Sequence, residues 1–69
     1  MKLSARNVLE GKVVSIDKGM ITCLVKLDIG GGHVISSVIS KQSAEEMALA
    51  VGDRAAAVIK STEVILAKD

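Results

Sequence analysis

The sequence predicts an all-β domain, a five-stranded OB-like barrel with one short helix between strands 3 and 4. Two observations carry this. Apolar and polar residues alternate through most of the chain, in runs bounded by glycine-bearing turns. That pattern breaks once, at 40–49, where the composition becomes helical, so the order is β-β-β-α-β-β. Closing such a sheet into a barrel removes the exposed edges that an open meander would leave.

The first strand is expected over 8–17. Val8, Glu10, Lys12, Val14 and Ile16 fall on one face, and Leu9, Gly11, Val13, Ser15 and Asp17 on the other, a mixed alternation implying partial cover on both faces. Asp17-Lys18-Gly19 reads as a turn, with Gly19 suited to positive φ. The second strand, 20–29, alternates more clearly, with Ile21, Cys23, Val25, Leu27 and Ile29 on one side. Gly30-Gly31-Gly32 closes a second hairpin, and 33–39 forms the third strand, with Val34 and Val38 opposite in facing to Ile35 and Ile39. A short helix lies within 41–49. Ser40 is a suitable N-cap, and Ser43 with Glu46 fits a capping box equally well. Val51-Gly52-Asp53 is a turn, and 54–60 and 63–67 are the last two strands, split by Ser61-Thr62.

The whole chain, 1–69, reads as a single domain with no linker, repeat or low-complexity segment. It is 49% hydrophobic and 25% charged, which excludes disorder by composition. It has no aromatic residue and no proline, so its core is built from Val, Ile, Leu, Met and Ala. One Cys excludes an internal disulfide, and one His with one Cys excludes an ordinary structural zinc site. A domain this small buries about 60% of its unfolded surface and usually needs a disulfide, a metal or a partner chain. With the first two excluded and the apolar content high, a homo-oligomer is expected. No apolar run is long enough to span a bilayer, and the N-terminus lacks the apolar stretch of a signal peptide, so a cytoplasmic location and no membrane partner are expected. The net charge is +1, without a basic stripe or stacking aromatics, so no nucleic-acid partner is expected.

Catalysis finds little support. His33 is the only histidine and follows three glycines, the setting of an exposed loop residue. Cys23 lies on the apolar face of its strand, as a small buried hydrophobe does. Glu45 and Glu46 fit a solvated helix surface. The triple glycine is followed by a strand, not by the Lys-Ser/Thr and helix of a phosphate loop, and reads as a hairpin tip. Two donor-rich segments stand out instead. In an extended chain Ser4 and Arg6 project to one side, offering a hydroxyl and a guanidinium to an oxyanion. Lys60-Ser61-Thr62, at a strand break, adds an ammonium, two hydroxyls and backbone N–H groups.

Ser4-Ala5-Arg6-Asn7, Leu9-Glu10-Gly11-Lys12-Val13, Lys18-Gly19, the turn at 51–53 and Lys60-Ser61-Thr62-Glu63-Val64 together resemble the molbindin (Mop) family of small molybdate-binding proteins. The resemblance spans essentially the whole chain. It implies an OB-like barrel assembled as a homohexamer, a trimer of dimers, that binds molybdate or tungstate at subunit interfaces for storage or homeostasis. It implies that the opening Ser-x-Arg of one subunit and the Lys-Ser of a neighbour line the site. The matching residues are Ser4, Arg6, Lys60 and Ser61, with a backbone N–H at Met20. No metal is expected to be coordinated directly by side chains. Two other functions compete: an OB-fold nucleic-acid-binding module, which the charge and the lack of aromatics disfavour, and a purely structural oligomerisation module.

Overall fold

The structure, a computed structural model, describes residues 2–69. Among the described residues there are four strands: β1 (Asn7–Lys18), β2 (Thr22–Gly30), β3 (His33–Ser40) and β4 (Arg54–Ile59). They form one antiparallel sheet in the order β3-β2-β1-β4, curled into a half-barrel, with helix α1 (Lys41–Glu46) after β3. β1 serves two partners. Its first half pairs with β4, from Asn7↔Ile59 to Lys12↔Arg54, and its second half pairs with β2.

A β-bulge explains the mixed alternation of β1. Val13 pairs with Leu27 and Ser15 with Lys26, so Val14 is an extra residue. Before the bulge Gly11 and Val13 are buried, and after it the inward position passes to Ile16. The phase of burial switches once, so each face of the strand is covered over part of its length. The bulge also anchors the 50–53 turn, because the Val13 N–H donates to the Asp53 carbonyl (2.9 Å) and the Gly52 N–H to the Val13 carbonyl (2.8 Å). Val13, Cys23, Val25, Leu27 and Ala44 form the buried core, ringed by Ile16, Ile35, Ile39, Leu49, Ala55 and Ala57. Cys23 is therefore a core residue, as its place in the alternation indicates.

The β2–β3 connection is a type I′ turn, since Gly31 and Gly32 have φ of 63° and 81°, values that suit glycine at both central positions. The β1–β2 turn departs from expectation. Its central residues are Met20 and Ile21, and Gly19 does not have positive φ. Glycine is required there by space: the Gly19 N–H donates to the Thr22 carbonyl (2.8 Å), and a Cβ on Gly19 would lie 2.8 Å from that oxygen.

Helix α1 is capped by Ser40, whose Oγ accepts from the Ser43 N–H at 3.0 Å. Its C-terminus is a Schellman motif: the Leu49 N–H donates to the Ala44 carbonyl and the Ala48 N–H to the Glu45 carbonyl, both at 3.0 Å. The left-handed position falls on Ala48, with φ of 50°, where glycine is the usual residue. Ala48→Gly is expected to stabilise the fold by about 0.5 kcal/mol, the relieved left-handed strain exceeding the added freedom of the unfolded chain. Denaturant titration of both proteins measures the difference.

Among the described residues the expected fifth strand is absent, and they form a half-barrel rather than a closed barrel. Residues 61–63 wind into a 3-10 turn (Ser61–Glu63), and the chain beyond it runs on without a sheet partner. The segment pairs with neither free edge, β3 or β4. Its apolar residues stay in solvent: Ile65 is 93% exposed and Leu66 89%. An alternating sequence supplies strand character, but a strand also needs an edge within reach.

Candidate oxyanion-binding site

β1 begins at Asn7 and β4 ends at Ile59, and these two residues are antiparallel partners. Arg6 and Lys60 are thus the next residues beyond the same end of one ladder. Ser4 lies in a bend just upstream of Arg6, and Ser61 opens the 3-10 turn just after Lys60. The two donor-rich segments, 54 residues or more apart in sequence, are brought side by side within a single chain. Ser4, Arg6, Lys60 and Ser61 are all exposed.

The break after β4 has defined geometry. Lys60 is extended (φ −61°, ψ 137°), the Glu63 N–H donates to its carbonyl at 2.9 Å, and the Val64 N–H to the Ser61 carbonyl at 3.4 Å. The N–H groups of Ser61 and Thr62 open the turn, where a helical turn has no acceptors of its own for them. In a strand Glu63 and Ser61 would share a face. A 3-10 turn advances about 120° per residue, which separates them by a third of a turn. The carboxylate closest in sequence is so rotated off the face of the Ser61 hydroxyl.

One contact at this place was not foreseen from sequence. The Asn7 side-chain Nδ2–H donates to the Ile59 carbonyl at 3.3 Å. Asn7 is half-buried, while Arg6 and Val8 beside it are exposed. The only signal in the sequence was an asparagine at a strand start, which has many ordinary uses.

Met20 does not join the other four within one chain. It caps the β1–β2 hairpin at the far end of β1 and is 94% exposed. The twelve residues of β1 lie between it and Arg6, in a molecule whose longest dimension is 37 Å. A site holding both would take Met20 from a second copy.

Two concavities lie elsewhere on the molecule. One, of about 480 Å³, is lined by Lys18, Cys23, Lys41, Ala44, Glu45 and Leu49 beside α1. Another, of about 400 Å³, is an apolar groove between β3 and β4, floored by Val13, Val25 and Leu27 and flanked by Ile35, Ile39 and Ala57. Among the described residues no group of three or more His, Cys, Asp or Glu could hold a metal ion, and His33 is exposed at the start of β3. Among the described residues no helix is long and apolar enough to cross a membrane.

Comparison with known proteins bears on the chain as a whole. The TOBE domain family matches residues 3–66. The chain is similar to a probable molybdenum-pterin-binding protein of Haemophilus influenzae, with 52% identity over 66 residues, 96% of each chain. Its fold matches the solved structure of MopII from Clostridium pasteurianum at a TM-score of 0.91 and 46% identity, over 97% of this chain and 100% of that one. It also matches the molybdate-bound form of ModG, a cytoplasmic molybdate-binding protein, at a TM-score of 0.90 and 42% identity, over 94% of this chain and 46% of that one.

Proposed function

The chain belongs to the molbindin (Mop) family of TOBE-domain proteins, and from that footing we propose that it binds molybdate, or tungstate, for storage or homeostasis, at subunit interfaces of a homo-oligomer. The observation that carries this reading is the Asn7↔Ile59 pairing, which gathers a guanidinium, an ammonium and two hydroxyls at one end of a ladder. Molybdate is a tetrahedral dianion whose oxygens only accept hydrogen bonds, so it asks for such a donor set. Each charge-assisted bond contributes about 1.5–3 kcal/mol net. Several of them, less the cost of association, allow micromolar affinity or better.

The role assigned is binding, with Ser4, Arg6, Lys60 and Ser61 as side-chain donors and the Met20 backbone N–H from another copy. On an exposed surface such contacts are screened by water and salt and are weak. A second copy closing over them lowers the local dielectric and fixes a cavity size. Cavity size discriminates molybdate from the smaller sulfate. Phosphate is discriminated by protonation, because a donor-only site leaves its remaining O–H unpaired. Equilibrium dialysis of the purified protein against molybdate tests the reading: retention that saturates supports it, and retention equal to that of the dialysis buffer refutes it.

Self-association has separate support. The groove between β3 and β4 lacks a strand, and the 64–67 segment lacks a sheet. A second copy's C-terminal segment suits the groove in apolar character, and Met20 and Ile21 at the hairpin tip add further apolar surface to cover. A homohexamer built as a trimer of dimers satisfies these surfaces and repeats the site by symmetry. Leu66→Asp is expected to shift the assembly to smaller species in analytical ultracentrifugation, since a buried unpaired carboxylate costs several kcal/mol per interface.

A further inference from the structure

We infer that Asn7 is a positioning residue of the anion site: its amide ties the segment bearing Ser4 and Arg6 to the segment bearing Lys60 and Ser61, and covers a carbonyl that would repel an anion. This rests on the oxyanion site proposed above. The β1–β4 ladder ends at Asn7↔Ile59, and no further rung holds residues 4–6 against 60–61. At that last pair the Asn7 Nδ2–H reaches the Ile59 carbonyl at 3.3 Å, a contact between residues 52 apart in sequence. The bond therefore acts where the backbone ladder stops and the donor residues begin.

Two effects follow from the chemistry. The first is geometric. Arg6 and Lys60 are long side chains on exposed backbone, and their usefulness to one small anion depends on how firmly their Cα positions are held. The second is electrostatic. The Ile59 carbonyl immediately precedes Lys60, and a bare carbonyl oxygen beside a dianion is repulsive. The Asn7 amide occupies it with one N–H and keeps a second N–H free. A carboxylate of the same shape would reverse both terms: it donates nothing to the carbonyl, and it adds a negative charge beside the ligand.

The test uses the full chain in its natural assembly, with three variants: Asn7→Ala, Asn7→Asp and Asn7→Ser. Two quantities are measured: molybdate Kd by equilibrium dialysis, and the melting temperature without ligand. Asn7→Ala is expected to raise Kd about tenfold, the loss of one hydrogen bond. Asn7→Asp is expected to raise it about a hundredfold, with like charges brought together. Asn7→Ser, which keeps a donor, falls between wild type and Asn7→Ala. If Asn7→Ala does not fold, the isosteric Asp variant and the smaller, donor-keeping Ser variant carry the comparison. A merely structural role would lower the melting temperature of the variants and leave Kd within twofold of wild type, and that result overturns the inference. Wild-type protein that binds no molybdate would instead overturn the parent site reading, and this one with it.

Discussion

Replacing Arg6 and Lys60 together by alanine is expected to weaken molybdate binding by about 10²–10⁴-fold while the protein stays folded. Each residue contributes a charge-assisted bond of about 1.5–3 kcal/mol, and a factor of ten in Kd is about 1.4 kcal/mol. The fold should tolerate the change because both side chains are exposed and lie outside the core cluster. The single variants should each bind roughly 10- to 100-fold more weakly, and their free energies need not add, since both groups meet one anion. Calorimetric titration, with circular dichroism as the folding control, measures all three. Binding that survives the double substitution within threefold would remove Arg6 and Lys60 from the site.

The second large effect concerns the fold. Gly11→Ala is expected to destabilise the protein by about 3 kcal/mol or more. Gly11 is buried where β1 passes from β4 to β2, and a Cβ there would run into the Asp28 carbonyl oxygen, with the Leu27 side chain close behind. The obstacle is backbone in a paired strand, which cannot swing away as a side-chain tip could. A domain of this size has only about 3–10 kcal/mol of stability in hand, so much of the population would unfold at moderate temperature. Gly52→Ala is the informative contrast. Nothing lies near a Cβ at Gly52, and only its φ of 98° resists substitution, so the cost should be about 1 kcal/mol. Urea unfolding of the two variants ranks them; equal losses would contradict the steric account of Gly11.

The elements legible in the sequence were those set by local chemistry. The Cys23, Val25, Leu27 alternation located β2 and the core. The triple glycine located the second hairpin, and Ser40 proved to be the helix cap. Three features depend on more than local pattern. The bulge at Val14 inserts one residue into the burial phase, and period-two counting has no way to register that without the partner strand. Gly19 is required by the approach of the Thr22 carbonyl, an atom three residues away, and not by its own φ. The 63–67 segment has strand composition but pairs with neither free edge of its own chain, and pairing is a tertiary property.

The candidate site divides in the same way. Residue type alone identified two sets of donors. That they lie next to each other follows from the β1–β4 register, which no spacing in the sequence encodes. The register also places them side by side in one chain, while setting Met20 at the opposite end of β1. Asn7 was visible only as part of a motif. Its contribution emerged from a single side-chain contact to Ile59, made possible because the two residues face each other at the ladder's end.

The central claim is selective binding of a tetrahedral oxyanion by the assembled protein. Calorimetric titration with molybdate in a large excess of sulfate tests it most directly. The account predicts saturable heat with a fixed number of anions per oligomer, little changed by the sulfate. Heat that disappears in sulfate, or no heat with or without it, would contradict the account.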